Sequence, residues 1–278
     1  MSDDGPRDLV FLKLGGSLIT DKTRVEAVQE EVLRGVAGEI ARARREAPRL
    51  RLLLGHGSGS FGHVAARKHG TRAGVQGEQG WQGFAQVADT AARLNRLVTA
   101  ALLEAGVPAW SVQPSAGLLC QDGAIVAWAG QPIELALARG LTPLIYGDAA
   151  LDRGRGGTIV STEELFAWLT PRLRPARIVL AGVVDGVYSA DPLLDPAAQP
   201  WPLITPAALP RLRASLGGSH GVDVTGGMFS KVTEMCRLAT SLPGLEVRLV
   251  SGLRAGAIYR ALLGDGEAGG TRIVRGDA

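Results

Sequence analysis

Two glycine-rich turns, each at the end of an apolar, strand-like run, constrain this chain most. The first is Val10-Phe11-Leu12-Lys13-Leu14-Gly15-Gly16-Ser17. The second is Leu52-Leu53-Leu54-Gly55-His56-Gly57-Ser58-Gly59-Ser60-Phe61-Gly62-His63. Glycine lets the backbone bend sharply and approach a ligand closely, so that free N–H groups surround anionic oxygens. One such turn is a weak signal, since any tight turn uses glycine. Two in one chain, flanked by Lys13, Lys22 and His63, predict a site for more than one phosphate group.

Short apolar runs recur at residues 9–14, 51–54, 107–112, 141–146, 176–181 and 245–250, often bounded by Gly or Pro. Between them lie helix-like stretches at 25–46, 81–105, 133–138, 162–169 and 231–240. This alternation predicts an α/β fold with a mainly parallel central sheet covered by helices on both faces. Residues 117–119 and 125–128, around Gln121-Asp122-Gly123, read as a small hairpin. The Pro-rich stretch 191–210 reads as a long loop, and Pro171 to Pro175 as a soft boundary. The expected organisation is one compact unit with an N-terminal lobe over 1–172 and a C-terminal lobe over 173–278.

Net charge is +3, from 30 basic and 27 acidic residues, with no lysine–arginine block of the kind that grips nucleic acid. Arg42, Arg44 and Arg45 are spaced as one solvated helix face. Cys120 and Cys236 lie far apart and form no metal spacing or disulfide framework, as expected of free thiols in a reducing cytoplasm. The stretch from Met1 to Asp8 is acidic and polar, unlike a signal peptide, and no apolar run reaches the length of about 18 residues that spans a membrane.

Gly57, Gly59 and Gly62 spell a G-x-G-x-x-G, which in a dinucleotide fold needs an acidic residue about 20 positions on. That stretch is Gly77-Glu78-Gln79-Gly80-Trp81-Gln82, a loop entering a helix, so a dehydrogenase is not expected. No G-x-x-x-x-G-K-[ST] is present either, so lysines for phosphate chemistry must come from separate parts of the chain. Lys13 interrupts an apolar strand, where a lysine is costly unless it emerges at the strand end or meets an anion. Lys231 follows a third glycine signal, Asp223-Val224-Thr225-Gly226-Gly227-Met228, at a helix start that favours anions. His63 is placed to donate a hydrogen bond to a phosphate oxygen, whereas His56 is expected to orient backbone. Asp148, just after a strand, is a candidate to organise lysines or substrate groups. The segment from Asp152 to Gly157 reads as a solvated, flexible loop or a lid, and Asp185-Gly186 as a nucleotide-supporting loop or an ordinary turn.

Together these pieces resemble the amino acid kinase superfamily. They are Lys13 to Ser17, the Gly57 to Gly62 loop, Tyr146-Gly147-Asp148, Val184-Asp185-Gly186-Val187-Tyr188, and Val224 to Met228 with Lys231, in family order over nearly the whole chain. Ile19-Thr20-Asp21-Lys22 and Gly59-Ser60-Phe61-Gly62-His63 are similar to the isopentenyl phosphate kinases, with the fosfomycin kinases as rivals that share the histidine. The resemblance implies an open αβα sandwich. It also implies transfer of the ATP γ-phosphate, with Mg²⁺ carried by the nucleotide, to isopentenyl phosphate. Lys13, Lys22, His63 and Lys231 would be catalytic. Ser58, Gly59, His63, Gly147, Asp148, Phe84 and Val87 would bind the acceptor. Lys13, Gly15, Gly16, Ser17, Gly59, Asp185, Gly226, Gly227 and Lys231 would bind ATP, with Gly15, Gly16 and Gly59 acting through backbone N–H groups. No metal ligand of the protein, no nucleic-acid or membrane partner, and a homodimer are expected.

Three positions depart from the family pattern. Ser58 stands for a usual glycine, Ser161-Thr162-Glu163-Glu164 for a small residue with Asp, and Ala181-Gly182-Val183 where a Thr is common. Trp81, Phe84, Val87, Ala88 and Ala91 are candidates to line an apolar pocket for a five-carbon chain, and each equally suits ordinary core. A kinase for another small phosphate or phosphonate, and a non-catalytic nucleotide-binding protein, are the alternatives.

Overall fold

The computed structural model describes residues 9–21, 23–216 and 227–276. In chain order, β1 (Leu9–Leu14) leads through the short α1 (Gly16–Ile19) to α2 (Glu30–Glu46), β2 (Arg51–His56), α3 (Gly59–His69), α4 (Gly77–Glu104) and β3 (Ala109–Ser111). Then come β4 (Leu119–Gln121), β5 (Ala124–Ala127), α5 (Gln131–Ala138), β6 (Thr142–Tyr146), β7 (Asp148–Asp152), β8 (Gly156–Val160) and α6 (Thr162–Leu173). The remainder is β9 (Arg177–Gly182), β10 (Val187–Tyr188), β11 (Pro200–Trp201), β12 (Leu203–Ile204), α7 (Leu209–Leu216), α8 (Gly227–Ser241), β13 (Glu246–Ser251), α9 (Ala257–Leu263) and β14 (Thr271–Ile273).

Eight strands form one sheet in the order β12-β14-β13-β9-β1-β2-β6-β3, parallel except where β13 meets β14. Side chains alternate across the central strands. Val10, Leu12 and Leu14 of β1, with Leu52 and Leu54 of β2, meet α2, α4 and α9 on one face. Leu9, Phe11 and Leu53 meet α5, α6 and α8 on the other. The result is the αβα sandwich. Residue 172 falls in the last turn of α6. The strands before it supply one contiguous half of the sheet and those after it the other half, joined at the β1–β9 pair.

The stretch from Gly77 to Gly80, read as a loop, is the first turn of α4, and three further expectations need correction. The helix expected from Val25 begins only at Glu30. Thr20 pairs with Val28 in an antiparallel bridge, Asp21 N–H donates to Ala27 O, and Glu26 has a φ of 51°, so this stretch is held out of the helix. The stretch 191–210 is not all loop. Pro200–Trp201 pairs with β10, and Leu203–Ile204 pairs with β14 at the sheet edge. Finally, Asp152 to Gly157 is the tight turn of the β7–β8 hairpin. The Asp152 carboxylate accepts backbone N–H groups of Asp122, Gly123, Gly154 and Arg155, which pins this turn against the β4–β5 turn.

Candidate active site

The C-terminal ends of β1, β2, β6 and β9 open on one cavity of about 260 Å³, the usual place for a ligand in an open α/β sheet. Both glycine turns line it, as do Gly147 and the charged side chains of Lys13, Arg72, Glu163 and Lys231. Ile159 and Val160 of β8 and Leu180, Val183, Val184, Met228 and Leu249 supply apolar wall.

The two glycine turns lock together backbone to backbone. A Cβ on Gly16 would lie 2.6 Å from Gly59 Cα, and one on Gly57 would lie 2.9 Å from Gly16 N. Gly59 has a φ of 51°, and a Cβ there would stand 2.7 Å from Gly16 O and run into Thr20. Thr20 Oγ1 stitches the pair, donating to Gly16 O at 2.7 Å and accepting from Ser60 N–H at 2.9 Å. Gly16, Ser17 and Gly59, in the first turns of α1 and α3, line the cavity, and helix geometry gives their N–H groups no intrahelical acceptor. Gly15 differs from the expectation. Its N–H donates to Ala181 O at 2.8 Å and ties the turn to β9, so it is not available to a phosphate. Ser58 adopts an ordinary helical conformation (φ −77°, ψ −15°), so serine fits without strain, packed against Gly62.

Lys13 points from β1 to the sheet face that also carries Leu9 and Phe11, and meets Glu163 there in an ion pair. Both side chains are largely enclosed, at 12% and 9% exposure. Ser161 and Glu164 form a reciprocal capping box that fixes the start of α6 and hence the position of Glu163. Burial alone would push the Glu163 carboxyl up. The Lys13 ammonium, then that of Lys231, outweigh it and hold the carboxyl below its ordinary range. One carboxylate thus faces two lysines from opposite ends of the chain. Arg72 completes the cationic wall, donating to Ile159 O at 3.4 Å and Glu164 Oε1 at 3.3 Å.

The amino acid kinase family model matches residues 8–251. The chain belongs to the amino acid kinase family. Within it the chain is 37% identical over 273 residues to an isopentenyl phosphate kinase of Methanothermobacter thermautotrophicus, covering 96% of this chain and 99% of that one. It is 38% identical over 234 residues to an isopentenyl phosphate kinase of Haloferax volcanii, covering 83% and 88%. A crystal structure of an isopentenyl phosphate kinase superposes with a TM-score of 0.80 at 33% identity, over 95% of this chain and all of that one.

In this member of the amino acid kinase family, the structure brings together Lys13, Gly15, Gly16, Ser17, Ser58, Gly59, Gly147 and Lys231 around one cavity. Gly227 opens α8, one residue before the lining Met228. Lys22 and Gly226 lie outside the described residues, and so does the side chain of His63, whose backbone stands one turn into α3. Asp148 is buried at the start of β7, away from the lining. It accepts N–H groups of Ser115 at 3.0 Å and Ala149 at 2.8 Å, and burial pushes its carboxyl up to about 6. The carboxylate that gathers the lysines is Glu163, not Asp148. Asp185 accepts from Tyr188 Oη–H at 2.6 Å, and its neighbours Val184 and Gly186 reach the cavity. Phe84 and Val87 are also outside the lining: Val87 is buried, and Phe84 packs on Trp81 and on Gly157 of β8. Gly157 and Ile159 share one face of β8, so Phe84 lies one packing step from the wall.

Sequence reasoning missed Glu163 and Arg72 as site residues. For Glu163 a signal existed, since Ser161-x-x-Glu164 is a capping-box pattern that places Glu163 in the first turn of a helix beside the strand ends. Arg72, in the connection after α3, carries no such pattern.

Proposed function

We propose that this chain transfers the γ-phosphoryl group of ATP to isopentenyl phosphate, giving isopentenyl diphosphate and ADP. The observation that carries this reading is the lysine pair around Glu163 beside two interlocked glycine turns, in a chain similar over 96% of its length to an isopentenyl phosphate kinase. A phosphate monoester is already anionic near neutral pH. An acceptor oxygen attacks the γ-phosphorus, the bond to the β,γ-bridging oxygen breaks, and ADP takes the bonding pair, with no general base needed. The chemistry asks for in-line positioning and relief of repulsion between two anions.

In this proposal Lys13 and Lys231 neutralise charge on the transferring group, and Glu163 sets their positions. Gly16, Ser17 and Gly59 cradle phosphates through N–H groups. Lys22 and His63 keep the roles that the resemblance implies, on the transferring group and the acceptor phosphate, with Gly226 at the nucleotide. Lining residues from Leu180 onward form the nucleotide side and those before position 172 the acceptor side, with Lys13, Gly16, Ser17 and Gly59 at the phosphates between them. Mg²⁺ enters on the triphosphate, which fits a wall where the carboxylate of Glu163 is engaged by an ammonium. A homodimer completes the proposal, and sedimentation of the purified protein tests it. The deciding assay follows ADP release with isopentenyl phosphate, dimethylallyl phosphate, fosfomycin and common amino acids. Preferred turnover of isopentenyl phosphate is expected, and preferred turnover of fosfomycin or an amino acid overturns the assignment.

A further inference from the structure

His56 ends β2 on the face that meets α4, and its ring is fully buried. Its Nδ1 lies 3.1 Å from the carbonyl oxygen of Gly57, the next residue. Its Nε2 lies 3.1 Å from Asn95 Nδ2 on α4, and Asn95 Oδ1 accepts from Ser111 Oγ–H of β3. A carbonyl can only accept, so Nδ1 must carry the proton. Burial first, then the nearby Lys13 ammonium, push the ring down to about 4, so it holds one proton at neutral pH. Nε2 is then a bare acceptor, Asn95 must present its NH₂ group, and its oxygen must face Ser111. Every donor and acceptor in the chain follows from one carbonyl.

The peptide after Gly57 is trans, as are the others described, so its C=O and N–H point in opposite directions. With Gly57 O held on the buried imidazole, the Ser58 N–H points away from the core, on the side where Gly57, Ser58 and Gly59 line the cavity. The preceding peptide is fixed too: Gly57 N–H donates to Leu14 O at 3.0 Å, and His56 O accepts from Gly147 N–H and Thr162 Oγ1–H. We propose that His56 is a positioning residue for phosphoryl transfer, whose Nδ1–H holds the Gly57 carbonyl inward and so aims the Ser58 N–H at phosphate in the cavity. This rests on the kinase reading above. The ring's other ionisable neighbour is the Tyr146 phenol of β6, stacked at 5.5 Å, on which Asp148 and Arg96 act in turn.

The test uses the full-length protein. In His56→Asn the amide nitrogen takes the place of Nδ1 and keeps the Gly57 bond. In His56→Gln it takes the place of Nε2 and loses it. Turnover is expected to fall at least tenfold further in H56Q than in H56N, about one hydrogen bond, with KM for ATP changing much less. In Asn95→Asp the acceptor-only carboxylate demands a proton on Nε2, so the ring keeps both bonds only as imidazolium. Its kcat should then fall with rising pH along a limb that the wild-type profile lacks. Nitrogen NMR of the wild-type ring should report the Nδ1–H tautomer without any assay of turnover. Equal turnover in the two His56 variants, an N95D profile superimposing on wild type, or an Nε2–H tautomer overturns the proposal. A wild-type chain with the Nδ1–H tautomer but no turnover of isopentenyl phosphate refutes the functional reading instead.

Discussion

Replacing Glu163 by glutamine separates charge from shape at the centre of the cavity. Glutamine keeps the size and still offers an oxygen to Lys13, but it removes the negative charge that Lys13 and Lys231 both face. A hydrogen bond to a charged acceptor contributes about 1.5–3 kcal/mol and a neutral one about 0.5–1.5, and the two ammonium groups then repel without a mediator. The cavity wall reaches water, so the loss stays below the cost of about 3–5 kcal/mol for breaking a deeply buried pair. A stability loss of about 1–3 kcal/mol at neutral pH follows, seen in urea titrations. The sign with pH is fixed: the folded carboxyl sits below its ordinary value of 4.5. Its stabilising effect is full above that value and disappears as pH falls through the lower, folded value. The gap between wild type and variant should therefore close in acid. Turnover should drop about 100-fold, as when one preorganised electrostatic contact is lost. KM for ATP should not rise, because the variant cavity is more positive and binds a polyanion at least as well in the ground state. Glu163→Asp, which keeps the charge, should stay within about tenfold of wild type. A folded E163Q protein with turnover within about threefold of wild type would remove Glu163 from the mechanism.

Three further outcomes follow from the geometry. Gly59→Ala meets Gly16 O and Thr20 at a φ of 51°, so the melting temperature should fall markedly, while Gly35→Ala, in open space on α2, should leave it unchanged or raised. Asp148 is pushed up to about 6 by burial, so ionising it costs the folded state up to about 3 kcal/mol. Wild-type stability relative to D148N should fall as pH rises from about 4 to about 7, and parallel curves would reject a buried carboxyl there. Phe84→Ala should open space beside Gly157, on the face of β8 that it shares with Ile159, and raise ten-carbon relative to five-carbon prenyl phosphate turnover. A lower melting temperature with an unchanged ratio would make Phe84 plain core.

The fold was largely legible because its central strands are short apolar runs between amphipathic helices. Residues 9–14 form β1 as expected, and the other five runs overlap strands of the main sheet. Legibility failed where tertiary contacts decide. Residues 25–29 read as helix, yet the Thr20–Val28 bridge holds this stretch beside the first glycine turn. The edge strand Leu203–Ile204 is too short to show a period, and its pairing with β14 depends on residues about 70 positions away. Asp152, read as part of a mobile loop, instead gathers four backbone N–H groups, which composition does not reveal.

The site was half legible for a related reason. Glycine announces itself locally, because close backbone contact and a positive φ exclude other residues at that position. A charge network does not, because its members are ordinary residues until the fold brings them together. Lys13 stood out only because it breaks an apolar strand. Its partner lies 150 positions on, in a stretch that departs from the family pattern. Glutamate reaches one methylene further than aspartate, and the capping box places its Cα at the first turn of α6, where that reach ends at the Lys13 ammonium. At this departure from the family pattern Glu163 supplies the negative charge that Lys13 and Lys231 face. The same holds beneath the second glycine turn. Asn95 and Ser111 look like stray polar residues in a helix and a strand, yet each has a defined hydrogen-bond role once the Gly57 carbonyl is fixed. Reading such sites from sequence requires asking which acceptor or charge cannot change its role, and then which distant residues are left to satisfy it.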